Sequence, residues 1–117
     1  MSETTTETDL TDSFVRVCSV GELPQVGAVQ AVVAGKKVAI VRDSVGDIHA
    51  IDDTCSHANV SLSEGDVEAG EIECWLHGSR FDLRSGRPTG LPAITPIAVY
   101  PVKLDGDDVF VSVTKEN

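Results

Sequence analysis

Two short stretches, Cys55-Ser56-His57 and Cys74-Trp75-Leu76-His77-Gly78-Ser79, determine how this sequence folds and what it binds. Each stretch pairs one cysteine with one histidine, as C-x-H and C-x-x-H, and residues 58–73 separate them. Thiolates and imidazoles are metal ligands, and two loops that each supply a near-rigid pair can hold a centre of more than one atom. The sequence therefore predicts a metal-binding lobe built on these two motifs.

A structural zinc site with two cysteines and two histidines is one interpretation of this ligand set. Zinc fingers pair like with like, as C-x₂₋₄-C and H-x₃₋₅-H, whereas each motif here mixes the two ligand types. Mixed pairs favour a centre with two inequivalent metals, one bound by both thiolates and the other by both imidazoles.

The composition limits the classes of function that the chain can have. Its 117 residues fit one domain, 41% of them are hydrophobic, and the net charge is −10. Such a surface argues against nucleic acid or a membrane as partner and favours docking to a basic protein surface. Neither a membrane-spanning apolar run nor a signal peptide is present in the sequence, so we expect a cytoplasmic protein. We also expect it to be a monomer. Reduced thiols are then metal ligands, and three cysteines cannot all pair internally.

Short β-branched segments joined by Gly and Asp turns predict a small antiparallel β-protein. We expect a disordered acidic tail over residues 1–12, one domain over 13–117 and a loop-rich lobe over about 53–96. Residues 84–88 are expected to form a turn and 90–96 a stiff loop. The expected strands cover residues 13–18, 28–33, 37–42, 48–51, 71–75, 80–83, 97–104 and 109–113.

The two motifs, continued by Gly78 and Ser79, resemble the signature of the Rieske [2Fe–2S] proteins, C-x-H followed after a spacer by C-x-x-H-G. The resemblance extends over most of residues 13–117 and is greatest to the small soluble ferredoxins of multicomponent non-haem-iron, ring-hydroxylating dioxygenases. It implies an all-β Rieske-type antiparallel β-sandwich, with a barrel-like core and an inserted loop-rich cluster-binding lobe.

The resemblance also implies the ligands of one Rieske-type [2Fe–2S] cluster. Cys55 and Cys74 would bind one iron, and His57 and His77 the other. The residues expected around the cluster are Trp75, Gly78, Ser79, Phe81 and Pro92.

The function implied is that of a one-electron carrier, not of an enzyme. Its partners would be a flavin-dependent ferredoxin reductase, which supplies electrons, and a terminal non-haem-iron oxygenase, which receives them through transient contacts. Three alternatives remain open from the sequence: a Rieske protein of iron–sulfur assembly or another redox pathway, a nitrite reductase small subunit, and a structural zinc module.

Residues near the ligands indicate a low reduction potential. High-potential Rieske proteins carry two further cysteines that form a disulfide, where this chain has Val60 and Leu76. Those relatives also place a serine and a tyrosine hydroxyl near the cluster sulfurs. Ser79 retains the first hydroxyl, but Phe81 replaces the tyrosine. We therefore predict a midpoint toward the lower end of the Rieske range of roughly −150 to +300 mV.

Other candidate residues have simpler interpretations. Cys18 is expected to be a buried apolar side chain, and His49 to lie on a strand away from the metal. Arg80, Arg84 and Arg87 follow the second motif and either balance the charge of the reduced cluster and nearby acids or help to orient a partner; local balance is the favoured interpretation. The acidic residues of the spacer are expected to form a solvated face; they are Glu64, Asp66, Glu68, Glu71 and Glu73.

Overall fold

The computed structural model describes residues 14–55, 60–76, 78–91 and 93–113. The predicted acidic tail, His57, His77 and Pro92 lie outside the described residues. Within the described ranges the chain forms eleven β-strands and two short 3₁₀ turns, Val20–Glu22 and Leu62–Glu64. The strands are β1 (Val15–Ser19), β2 (Gly27–Val33), β3 (Lys36–Arg42), β4 (Ile48–Asp52), β5 (Asp66–Glu68), β6 (Glu71–Glu73), β7 (Arg80–Asp82), β8 (Pro88–Gly90), β9 (Val99–Tyr100), β10 (Val102–Asp105) and β11 (Asp108–Val111).

The strands form three sheets in which every strand pair is antiparallel. Two of the sheets have the orders β1-β11-β10 and β2-β3-β4-β9 and make up the body of the molecule. The third has the order β5-β6-β7-β8 and lies in the chain between β4 and β9, as an inserted lobe. The prediction of an antiparallel all-β fold is confirmed.

Strand β3 is central because both of its faces are buried. Val38 and Ile40 point into an apolar core shared by the two body sheets, whereas Ala39 and Val41 point into a second core shared with the lobe. A strand covered on both faces has a continuous apolar sequence instead of an alternating one, as this run has. The same strand thus ties the body to the lobe.

The two cores draw on different parts of the chain. The body core contains Cys18, Leu23, Val33, Val38, Ile40, Ala50, Tyr100, Val109, Val111 and Val113. The lobe core contains Ala39, Val41, Ile51, Cys55, Leu62, Ile72, Cys74, Phe81, Leu83, Ala93, Ile97 and Val99. Both motif cysteines therefore lie in the lobe core.

The structure corrects the expected strands at three places. The strand expected over 97–104 is two strands, because Pro101 separates β9, which pairs with β4, from β10, which pairs with β11. The turn and loop expected after residue 84 contain β8, an edge strand that starts at a proline, a position where its missing N–H is tolerated. The spacer between the motifs contains β5, which was not expected.

Candidate metal centre

The first motif begins where β4 ends, on a loop whose two ends are bonded to each other. Thr54 pairs with Ser61 in an isolated antiparallel bridge, and the Cys55 amide donates to the Val60 carbonyl at 3.0 Å. Cys55 itself is only 3% exposed. The closed base fixes the direction in which the chain enters the motif.

The second motif forms the tip of the β6–β7 hairpin. The Cys74 amide donates to the Ser79 carbonyl at 2.6 Å, and the Gly78 amide donates back to the Cys74 carbonyl at 2.9 Å. Gly78 has a φ of +77°, in the left-handed region that glycine adopts without steric cost. Cys74 is 1% exposed, so the tight turn holds its side chain toward the interior.

A third loop is bonded to this hairpin tip through Ser79. The buried Ser79 hydroxyl accepts a hydrogen bond from the Ala93 amide at 3.1 Å. A hydroxyl that accepts one bond keeps its own proton for a second partner. The expectation that Ser79 offers a donor near the cluster is compatible with this geometry.

Cys55 and Cys74, the two predicted ligands that the structure describes, are placed as a Rieske centre requires. Cys18, Cys55 and Cys74 are not in disulfides, and the two motif cysteines are buried in the same apolar core. Phe81 is fully buried in that core and lines the side of the lobe where the cysteines lie. Among the described residues alone, no three potential metal ligands lie together. The other two predicted ligands, His57 and His77, lie outside the described residues.

Exposed apolar side chains lie on the second motif and on the loop bonded to it. Trp75 and Leu76 directly follow Cys74 and are 52% and 42% exposed, and Leu91 and Ile94 on the neighbouring loop are 78% and 79% exposed. We call these four residues the tip surface. Apolar side chains this exposed, on two loops joined by the Ser79–Ala93 hydrogen bond, are typical of a contact surface for another protein.

The outer face of the lobe sheet is acidic. In the strand register Asp66, Glu73 and Arg80 form one cross-strand row, and Glu68, Glu71 and Asp82 form the other. The row between them points inward and is apolar; it consists of Val67, Ile72 and Phe81.

Arg80 balances part of this acidic face. Its Nε lies 2.9 Å from a Glu71 carboxylate oxygen, and its Nη atoms lie 3.6 and 3.7 Å from Glu68 and Glu73. Arg84 also contacts a carboxylate, that of Asp47, at 3.0 Å. These two arginines are therefore used in local charge balance, as the sequence indicated.

The residues expected to lie away from the metal do so. Cys18 lies on β1 in the body core, where burial raises the pKa of its thiol. The His49 ring lies on β4 and contacts the Asp43 carboxylate at 2.8 Å, a pair that sequence reasoning did not identify. Sequence reasoning also missed Asp53, a fully buried acid two residues before Cys55. Its position next to a ligand motif was the available signal.

The described residues contain no helix that is long and apolar enough to cross a membrane.

Comparison with known proteins identifies the family. The model of the Rieske [2Fe-2S] domain matches residues 13–101. The ferredoxin component of biphenyl 2,3-dioxygenase from Rhodococcus jostii (strain RHA1) is 39% identical over 99 residues, 85% of this chain and 92% of that protein. The solved ferredoxin of carbazole 1,9a-dioxygenase from Nocardioides aromaticivorans IC177 is 40% identical with a TM-score of 0.80, covering 85% of this chain and 96% of that one.

A second solved structure holds a related ferredoxin together with another protein. It is a complex of reduced oxygenase and oxidized ferredoxin in carbazole 1,9a-dioxygenase, 30% identical with a TM-score of 0.77, covering 85% of this chain and 92% of that chain. The chain belongs to the Rieske [2Fe–2S] domain family. Within it the chain is an electron-transferring ferredoxin that holds a Rieske-type cluster and is not itself a catalyst, which excludes the zinc module.

Proposed function

We propose that this ferredoxin passes single electrons from a flavin-dependent reductase to a terminal non-haem-iron oxygenase. The observation that carries the proposal is the position of Cys74, which is buried in the lobe core while the next residues in the chain, Trp75 and Leu76, are exposed. A redox centre at this position would lie directly behind a surface suited to protein contact. When bound, the cluster supplies a centre that takes up and releases one electron.

The proposed ligands are Cys55 and Cys74 for one iron and His57 and His77 for the other. A metal bound by these two buried sulfurs would stabilise their thiolate form, which would be costly in an apolar core without it. Neutral imidazoles on the second iron remove negative charge from the centre and raise its potential above that of an all-cysteine cluster. Val60 and Leu76 cannot form the disulfide of the high-potential relatives, which supports a midpoint toward the lower end of the Rieske range.

The proposed docking site is the tip surface, flanked by the acidic outer face of the lobe sheet. An apolar patch beside carboxylates suits a partner surface with an apolar recess bordered by Lys and Arg. The solved complex of a related ferredoxin with its oxygenase supports the oxygenase as one such partner. The same surface would serve the reductase in turn, since a carrier exchanges partners between uptake and delivery of the electron.

The reductase, the cytoplasmic location and the monomeric state remain predictions from the sequence. The family of the chain supports all three. The net charge of −10, which opposes self-association at low salt, supports the monomeric state in particular. Size-exclusion chromatography with light scattering would test the monomer directly.

The function is tested by spectroscopy followed by reconstitution. Dithionite-reduced protein should give an EPR spectrum with a low average g-value, the mark of mixed Cys and His ligation. NADH, a flavin-dependent reductase and the terminal oxygenase of a related ring-hydroxylating dioxygenase system should then give product only when the ferredoxin is added. Cys74→Ser should give neither signal. A normal Rieske spectrum without any electron delivery to the oxygenase would refute the proposed partners while leaving the cluster in place.

A further inference from the structure

Asp53 is a fully buried carboxylate whose side chain and backbone are both hydrogen-bonded. Its Oδ1 accepts from the Ser63 amide at 2.8 Å, and its Oδ2 accepts from Gln30 Nε2 at 2.5 Å. Its backbone carbonyl accepts from the Leu62 amide at 2.5 Å, and its own amide donates to the Lys37 carbonyl at 3.1 Å. A buried carboxylate is costly unless hydrogen bonds replace its water, and here both oxygens have an N–H donor.

These contacts join both ends of the loop that carries the first motif. Asp53 precedes the loop, while Leu62 and Ser63 follow it in the 3₁₀ turn. Gln30 on β2 adds a second link, because its Nε2 also lies 3.3 Å from the Ser61 hydroxyl oxygen. One acid therefore ties the entrance and the exit of the loop to each other and to two strands of the body.

We propose that Asp53 is a positioning residue for the cluster, acting through the loop that carries Cys55 and His57. The inference rests on the proposed ligand set. Closing the base of a loop fixes the direction of the residues on it, and residues that orient metal ligands set the affinity and the properties of the metal. A role in general stability alone would leave the properties of a bound cluster unchanged.

The test compares Asp53→Ala with Asp53→Asn in the whole protein. Alanine removes both acceptors, so iron per chain should fall and the cluster should be lost to a chelator about tenfold faster than in the wild type. The clusters that remain should show shifted g-values and a shifted midpoint. Asparagine retains an oxygen that accepts from the Ser63 amide. Its NH₂ group can donate to the Gln30 side-chain oxygen once the Gln30 amide rotates by half a turn. This variant should therefore have near wild-type iron content and g-values.

Two further variants keep the result interpretable. Asp52→Ala removes the neighbouring acid, which makes a single exposed bond to the Thr54 amide at 3.0 Å, and should change neither g-values nor chelator loss. If Asp53→Ala does not fold, Gln30→Ala decides the question. Gln30 is exposed, so its replacement should leave the protein folded while it weakens the same contacts. Gln30→Ala should therefore lose its cluster to the chelator faster than the wild type.

Wild-type iron content, g-values and midpoint in folded Asp53→Ala would overturn the proposal, as would wild-type chelator resistance in Gln30→Ala. Loss of the cluster from the wild type would instead count against the proposed function, so the two failures are distinguishable.

Discussion

The Ser79 side chain connects the hairpin tip to the neighbouring loop by a hydrogen bond. Its hydroxyl accepts from the Ala93 amide, and both residues are buried. In Ser79→Ala that amide loses its partner, so the free energy of unfolding should fall by roughly 1–3 kcal/mol in urea titrations. If the hydroxyl also donates to the cluster, the midpoint should fall by roughly 40 mV, the one-electron equivalent of about 1 kcal/mol.

A matched control for Ser79 exists in the body of the molecule. Ser112 is also a fully buried serine, but it follows β11, outside the lobe. Ser112→Ala is expected to change stability without moving the midpoint. An unchanged midpoint in Ser79→Ala would show that this hydroxyl does not act on the cluster.

At the level of single residues, the sequence could predict those whose chemistry is visible in a motif. Cys55 and Cys74 were identified by spacing, and the structure buries both in one core. Asp53 and the pair of Asp43 with His49 were not identified, because their roles depend on burial and on partners far along the chain. A sequence shows that an acid is present but not that the fold removes it from water.

Among the turns, the one after β7 depends on a glycine. Gly86 has a φ of +78°, and a Cβ built there would lie 2.1 Å from the Ile97 carbonyl oxygen. Its own carbonyl accepts from the Ile97 amide at 2.9 Å, so the turn and the returning chain are in direct contact. Gly86→Ala should therefore lower the free energy of unfolding by roughly 2–5 kcal/mol, the sum of left-handed strain and overpacking.

Substitution of Gly46, in the turn between β3 and β4, measures the backbone strain without the overpacking. Its φ is +91°, but a Cβ there would meet nothing within 4 Å. Gly46→Ala should cost only the strain, roughly 1–2 kcal/mol in the same urea titration. Equal losses at the two positions would mean that the close approach at Gly86 is relieved by a small backbone shift.

The elements that the sequence predicted well are those with local partners. Strands β2, β3 and β4 form a meander and were expected from their apolar runs and turns, as was the β10–β11 hairpin. The change of sheet at Pro101 was not expected, because it depends on which distant strand each half pairs with. Strands β5 and β8 were not expected, because each is short and lies among residues that predict turns: Gly65 precedes β5, and β8 begins at Pro88 and ends at Gly90.

For the whole molecule, two acids that stabilise turns make stability depend on pH. Burial opposes ionisation of Asp43, but hydrogen bonds from His49 and from the Asp47 and Val45 amides outweigh it and lower the pKa of this carboxyl. In Asp82, a hydrogen bond from the Ser85 hydroxyl at 2.8 Å is the main reason why the pKa is lowered.

A lowered carboxyl pKa stabilises the fold above the unfolded value of 3.8, and this contribution is lost as the pH falls through the folded value. Asp43→Asn and Asp82→Asn should therefore be less stable than the wild type at pH 7, and the differences should shrink below about pH 4. The measurement is the urea midpoint of each protein from pH 7 to pH 3. Because metal binding also depends on pH, the iron content of each protein is measured at every pH alongside the urea midpoint. A difference that stays constant with pH would contradict the assignment.

Docking is the property of the whole molecule that the tip surface predicts. Replacing Leu91 and Ile94 together by serine removes two of its most exposed apolar side chains, so binding to the oxygenase should weaken at least about tenfold. Val45→Ser is the control, because Val45 is 77% exposed but lies in the turn between β3 and β4 and is not part of the tip surface. Stopped-flow electron transfer at several concentrations of oxygenase gives the affinity, and a redox titration should show unchanged midpoints in both variants. Equal transfer by all three proteins would mean that electrons leave through another face.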